Sequence, residues 1–255
     1  MKDGESMATV TRKSSDGTHK SISTELKADN VMVPEIIEKA PGIRVFGKRL
    51  RSFLFSTDIA TICYTNADAI LAVYPYTPHP AIISAIVKVA NQPVFAGVGG
   101  GKTNGRRSIY LALTSEAEGA SGVVVNVPMS NENITQIAST IDSPIIGTVV
   151  SEYQLYDRHK AGVDIFNISA GKKTPYLVER IRKQFPDIPI IATGGKSDQS
   201  ILDVIDAGAD AINWTPPTTV ELFRGIMDNY RTEAEASFRE DHEGLTLTEY
   251  EKKYQ

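Results

Sequence analysis

Ile188-Pro189-Ile190-Ile191-Ala192-Thr193-Gly194-Gly195-Lys196-Ser197, followed after three residues by Ile201-Leu202-Asp203-Val204-Ile205-Asp206-Ala207-Gly208-Ala209-Asp210-Ala211-Ile212-Asn213, carries both signals from which the architecture can be read. A proline opens an apolar run, paired glycines close it, and an amphipathic stretch follows. A glycine-containing turn and an aspartate then introduce a second apolar run. Short apolar runs separated by segments of helical period are the mark of parallel βαβ units.

Both entrances recur upstream. The proline type returns as Gln92-Pro93-Val94-Phe95-Ala96 and Ser143-Pro144-Ile145-Ile146-Gly147, so Pro93, Pro144 and Pro189 stand 51 and 45 residues apart. The second type, a small residue or glycine before Asp or Ser, returns at Asp68, Ser121, Asp164 and Asp210, which are 53, 43 and 46 apart. Two offset series with one shared period of about 47 residues mean two βα units per period. Strands are expected near 51–56, 69–74, 93–97, 122–127, 144–149, 163–168, 188–192 and 210–214. Eight units in about 190 residues fit a closed (β/α)8 TIM barrel; the competing open, doubly wound sheet seldom runs to eight regular units without a long crossover.

The barrel is expected over residues 51–230. Residues 1–50 are expected to be a flexible arm with a short helix, since 1 to about 30 are rich in Ser, Thr, Lys, Asp and Gly and poor in large apolar side chains. Val31 to Ala40 offers the helix, placed to plug the base of the domain. Residues 231–255 are expected to form a C-terminal helical tail which, with the arm, offers contacts for a homo-oligomer.

Composition narrows the function. With 27 Lys+Arg against 31 Asp+Glu, the net charge of −4 argues against nucleic-acid binding, which needs a basic field. The single cysteine, Cys63, forms neither an intramolecular disulfide nor a zinc site, which makes the cytoplasm the expected location. No run of about 18 apolar residues suggests a membrane span. No spaced set of His, Cys or carboxylates suggests a metal site.

In a barrel of this kind, chemistry sits at the C-terminal ends of the strands, and the loops after strands seven and eight commonly clamp a phosphate. Paired glycines such as Gly194-Gly195 let backbone amides approach an anion; their other reading is a tight βα turn. Over about residues 160–215 the chain resembles the phosphate-binding (β/α)8 barrels of the ribulose-phosphate-binding group, which includes keto-deoxy-phosphogluconate aldolase, the histidine-pathway isomerases and the sugar-phosphate epimerases. The resemblance implies that Gly194 and Gly195 bind phosphate through their amides. It also implies that Trp214 and Thr215 stand at the second phosphate loop, where the family has Gly followed by Ser or Thr.

The loop Gly97-Val98-Gly99-Gly100-Gly101-Lys102-Thr103-Asn104-Gly105-Arg106-Arg107 is either a second anion cradle, formed by Gly100, Gly101 and Lys102, or a mobile glycine loop with a solvated basic tip. Asp58, after strand one, matches the acid/base carboxylate of the resembling isomerases and is equally a good helix N-cap. Glu152 after strand five is a possible counterpart. Lys172 follows strand six, where the resembling aldolases carry a Schiff-base lysine within the strand, and Asn167 lies near the expected reacting carbon. The expected function is binding of a small phosphorylated carbonyl or sugar compound by a lyase, isomerase or epimerase that abstracts a proton next to a carbonyl. The alternatives are a non-catalytic barrel that senses such a metabolite and a barrel that holds FMN by its phosphate; otherwise no cofactor is expected.

Overall fold

In the computed structural model, which describes residues 11–15, 19–23, 31–153 and 155–254, each of the eight apolar runs is a parallel strand. They are β5 (Ser52–Phe55), β6 (Ala69–Ala72), β7 (Val94–Gly99), β8 (Gly122–Val125), β9 (Ile145–Val149), β10 (Ile165–Ile168), β11 (Ile190–Thr193) and β12 (Ala211–Trp214). Each pairs with the next and β12 pairs with β5, so the sheet closes on itself as a (β/α)8 barrel. Between successive strands run α1 (Ile59–Cys63), α2 (Pro80–Val89), α3 (Arg106–Ala117), α4 (Asn131–Ala138), α5 (Leu155–Lys160), α6 (Thr174–Gln184) and α7 (Asp198–Asp206).

The two periodic entrances interlock at the base of the barrel. The amides of Ser121, Asp164 and Asp210 donate to the carbonyls of Val94, Ile145 and Ile190, each the residue just after an entrance proline. A proline has no N–H to give, but its carbonyl remains an acceptor. Pro93, Pro144 and Pro189 accept from Ile70, Val123 and Phe166 of the neighbouring strand, and Arg51 takes the same place for Ile212 where the barrel closes.

The aspartates add a second tie. Asp68 accepts the amides of Arg51 (2.7 Å) and Ser52 (3.1 Å), Asp164 that of Ile145 (2.8 Å) and Asp210 that of Ile190 (2.8 Å). These are amides at strand starts, where a carboxylate acceptor gives a charge-assisted bond. The repeat of about 47 residues is therefore a structural repeat, and at three of its four positions, Ser121 being the fourth, a carboxylate holds the first amide of the strand before it. Asp210 also receives Arg182 from α6 at 2.6 Å, and Arg182 reaches the carbonyls of Gly208, Pro186 and Ile188 as well.

Alternation along a strand sends every second side chain inward. Phe53, Leu71, Phe95, Val124, Ile146, Ile165, Ile191 and Ala211 form the inner core together with Ile43, Val45 and Leu50. The last three belong to a hairpin of β3 (Ile43–Val45) and β4 (Lys48–Leu50) that leads directly into β5. The plug is this hairpin, not the helix expected over 31–40. That segment forms only a 3-10 turn, Glu35–Lys39, whose Ile37 packs in the outer core between strands and helices. Within the expected arm, β1 (Thr11–Ser15) and β2 (His19–Ser23) pair antiparallel; the rest of residues 1–30 lies outside the described residues.

The barrel unit runs to Pro216, and a second unit starts at Pro217. It holds α8 (Thr219–Asp241), opened by a capping box between Thr218 and Glu221, and α9 (Leu247–Tyr254). Phe238 stacks on His242 at 4.0 Å, and Tyr250 of α9 meets both rings edge-on.

Two stability tests follow from these ties. Asp210→Ala leaves the Ile190 amide without its carboxylate and Arg182 without its counter-ion, with an expected loss of about 2–3 kcal/mol in chemical denaturation. Glu116 at the end of α3 accepts from the Ser143 hydroxyl and from the Ser143 and Asp142 amides at the entrance to β9. The Ser143 hydroxyl, and then these amides, hold its carboxyl below the usual carboxylate range against the opposing effect of burial. A lowered folded pKa contributes stability above the unfolded value that is lost as pH falls through the folded one. Melting temperatures from neutral to acid pH should therefore show Glu116→Gln below wild type near neutrality, with the gap closing at the acid end.

Candidate functional site

One step above the apolar inner core, the alternation places Phe55, Val73, Gly97, Asn126, Thr148, Asn167, Thr193 and Asn213 as the last inward ring before the C-terminal mouth. The first three positions are apolar or bare. The other five, from five consecutive strands in barrel order, read Asn-Thr-Asn-Thr-Asn. The mouth thus has an apolar arc on β5 to β7 and a neutral polar arc from the end of β8 to β12.

Part of the polar arc is satisfied within itself. The Asn167 carboxamide donates to Thr148 Oγ1 at 3.5 Å, and the Thr148 hydroxyl donates to Asn126 Oδ1 at 3.4 Å. Three oxygens have no partner although they are buried: Asn167 Oδ1, Thr193 Oγ1 and Asn213 Oδ1. Native proteins leave few buried polar atoms unpaired, because each forfeits about 1–3 kcal/mol.

These side chains line a cavity of about 500 Å3, together with Tyr74, Ser169 and Thr215. A second cavity of about 420 Å3 shares Val73, Tyr74, Pro75 and Asn126 with the first and extends to Tyr76, Gly99, Gly101, Lys102 and Thr103. Among the residues lining both, the ionisable side chains are Tyr74, Tyr76 and Lys102; there is no carboxylate and no imidazole.

The glycine loop after β7 is built onto this site. The Gly100 amide donates to the Thr103 carbonyl at 3.0 Å, Asn126 N–H donates to the Gly99 carbonyl at 3.0 Å, and Asn104 caps the turn by bonding the Gly101 carbonyl. Gly100 has φ +105°, and a Cβ there would stand 2.7 Å from the backbone N and O of Asn126. Only glycine allows that approach. From the other side, the buried Arg158 guanidinium donates to the carbonyls of Val127 and Met129, which braces the chain just after Asn126. Burial pushes the Arg158 pKa down.

The structure brings Asn167, Thr215, Gly101 and Lys102 to the walls of these two adjoining cavities. It sets the other sequence candidates elsewhere. Asp58 is the N-cap of α1, accepting the Thr61 amide at 2.7 Å, and lines neither cavity. Lys172 sits exposed in a 3-10 turn, Gly171–Lys173. Glu152 pairs with Arg180 through two bonds of 3.1 and 2.9 Å. Trp214 packs into the outer core against apolar neighbours. Gly194 has no room for a side chain, since a Cβ would meet Ile201 and Ile212 at 2.9 and 3.0 Å. Gly195, at φ +75°, turns the chain into Ser197, whose side chain caps α7 by accepting the Ser200 amide. Thr193 stands among the strand-end residues the sequence offers, whereas Thr148 and Asn213 do not; counting two residues on from the inward apolar position of each strand finds both.

No protein-family profile matches the chain. Among curated proteins it is 31% identical over 123 residues to a Shouchella clausii protein provisionally named N-acetylmannosamine-6-phosphate 2-epimerase, covering 41% of this chain and 52% of that one. It is 29% identical over 117 residues to thiamine-phosphate synthase of Staphylococcus epidermidis, covering 41% and 53%. The chain thus spans about half the length of the curated relatives it matches. Solved structures extend the match along the barrel. Phosphoenolpyruvate phosphomutase from Streptomyces platensis subsp. rosaceus superposes with a TM-score of 0.57 at 14% identity, over 81% of this chain and 88% of that one. Phosphonopyruvate hydrolase in complex with oxalate and Mg gives 0.54 at 16%, over 79% and 89%. Thiamine phosphate pyrophosphorylase from Pyrococcus furiosus gives 0.51 at 18%, over 65% and 85%.

The likeness is one of fold. It agrees with the resemblance read from the sequence, since the eight-stranded parallel barrel is shared with proteins named for phosphorylated compounds.

Proposed function

We propose that the barrel binds a small phosphorylated carbonyl or sugar compound at its C-terminal mouth, in the cytoplasm, and serves as a metabolite-binding barrel that works without acid–base chemistry. The observation that carries this is the lining: five neutral polar side chains, three of their oxygens unpaired, and no carboxylate or imidazole. Proton abstraction next to a carbonyl needs a base within hydrogen-bond reach of the carbon acid. Asp58, Glu152 and Lys172 do not line the cavities. The phosphate is assigned to the amides of Gly194 and Gly195 in the turn that leads from β11 to the N-cap of α7; the glycines line neither cavity, but Thr193 just before them and Thr215 do. Gly101 and Lys102 offer a second anion contact across the mouth.

One observation favours the lyase, isomerase or epimerase reading in second place. Lys102, Tyr74 and Tyr76 line the same cavity and are the three ionisable groups there able to exchange a proton with a bound carbonyl compound. Deuterium uptake from heavy water into a bound sugar phosphate would select that reading; no uptake supports binding alone. A yellow protein as purified would select FMN, and a colourless one removes it.

The phosphate assignment has a direct test. Inorganic phosphate should raise the melting temperature of wild type. The increment should vanish in Gly195→Asp and survive in Gly195→Asn, which adopts the same positive φ without adding charge. Equal increments in all three proteins would refute the assignment.

A homo-oligomer is proposed through α8. None of its 23 residues is buried, and Val220, Phe223 and Met227 form an apolar strip at helical spacing, with Phe223 62% exposed. An exposed strip of this kind is a usual interaction surface, and a second copy presents the same strip in return. Light scattering should give more than one chain per particle for wild type and a single chain for Phe223→Glu.

A further inference from the structure

We infer that Asn126 and Asn213 meet the body of the ligand with their carboxamide nitrogens, so that the mouth selects a carbonyl group over the corresponding alcohol. This rests on the reading of the mouth as a phosphometabolite site only for the phosphate end of the ligand; the two nitrogens belong to other residues than those assigned to the phosphate. The orientation of each side chain follows from where its oxygen goes. In Asn213 the oxygen is sealed in the wall, whereas the nitrogen, without a hydrogen-bond partner among the described residues, keeps access to the cavity. In Asn126 the oxygen is taken by the Thr148 hydroxyl at 3.4 Å, which itself accepts the Asn167 carboxamide at 3.5 Å. That chain of donors runs one way, and it leaves the Asn126 nitrogen for the two cavities whose walls this residue shares.

Asn126 follows β8 and Asn213 lies in β12, and these strands are four steps apart in the ring of eight, so the two donors approach from opposite sides. A carboxamide nitrogen only donates, and its full complement is an oxygen that only accepts. A carbonyl fits, with two lone pairs and no proton of its own. An alcohol accepts as well but brings a proton that must find an acceptor, and the side chains around Asn126 are already engaged. The Thr148 hydroxyl takes the Asn167 amide, the Asn126 oxygen takes the Thr148 proton, and Tyr74 Oη takes the His79 backbone amide at 2.8 Å. The Ser169 and Thr215 hydroxyls follow β10 and β12, two and four strands round from Asn126. A hydroxyl proton desolvated without an acceptor forfeits what the bond to the carboxamide gains.

Dihydroxyacetone phosphate and glycerol 3-phosphate test this, because they differ only in whether the middle carbon bears a carbonyl or an alcohol. Calorimetry on the full chain should show the ketone binding about tenfold more tightly. Equal binding, tighter binding of the alcohol, or binding of neither overturns the inference without any variant being made. Asn126→Ala and Asn213→Ala, truncations at a cavity wall, should each cut the preference by about threefold or more, through the ketone alone. A merely structural asparagine would weaken both ligands alike, and that result overturns its assigned role. Lys102→Met should keep the preference; its loss would place the selection in an imine on Lys102 and overturn the assignment to the asparagines. Inorganic phosphate, measured alongside, separates the two readings. A preference for the ketone with no response to phosphate keeps the donor pair and removes the phosphate assignment, whereas a response to phosphate with equal binding of the two ligands removes the donor pair alone.

Discussion

The carboxylate-to-amide ties at the base of the barrel are the constraint on which the rest depends. Asp68, Asp164 and Asp210 each hold the first amide of the preceding strand, and the entrance prolines likewise receive an amide of the preceding strand on their carbonyls. Strand side chains have a period of two, so a slip of one residue would reverse every inward and outward position. In β10 such a slip would turn Asn167 into the outer core and Ile168 into the mouth. The chemistry of the mouth is thus set at the opposite end of the strands, by bonds formed far from any ligand.

That arrangement also explains how the barrel tolerates a polar upper ring. Below it lie the inward apolar layer and the hairpin residues Ile43, Val45 and Leu50, with Phe53 and Phe95 meeting at 5.5 Å between ring centroids. This lower half holds the barrel together by ordinary burial. The upper ring is then free to carry unpaired oxygens that would be a defect in a core whose stability rested on them. Stability and recognition occupy successive layers of the same eight strands.

The fold was legible because its periodic signals are local and repeated: a proline or an aspartate marks six of the eight strand starts, and Ser121 a seventh, for a reason that operates within a few residues. The hairpin over 43–50 escaped notice because three-residue strands carrying Arg44, Lys48 and Arg49 show no apolar run; what fixes them is long-range contact with the inner core. Much of the site was hidden for a different reason. A search for chemistry looks first for charge, and charge led to Asp58, Glu152 and Lys172, which the fold uses as a cap, an ion pair and a solvated turn. The wall of the mouth consists of Asn and Thr, whose presence at a strand end reads as an ordinary transition to loop. Only the inward register, known once the strands are aligned around the barrel, shows that five such residues face one another. Gly100 was expected in either an anion cradle or a mobile glycine loop, and the structure shows why a side chain is impossible there: the backbone of Asn126 occupies the space.

The distribution of charge gives the mouth its logic. Of the basic residues in the loop over 97–107, Lys102 lines one of the two cavities, while the other cavity, which the polar arc lines, has neither a cation nor a carboxylate in its wall. A charged group deep in the barrel would meet a low dielectric and, unpaired, would shift toward its neutral form. An anion held at the rim by amides and a lysine keeps much of its hydration and needs no buried counter-ion. On the proposed reading, such a site would separate the two ends of a phosphorylated ligand by hydration as well as by shape, keeping the ionic end where water can reach it.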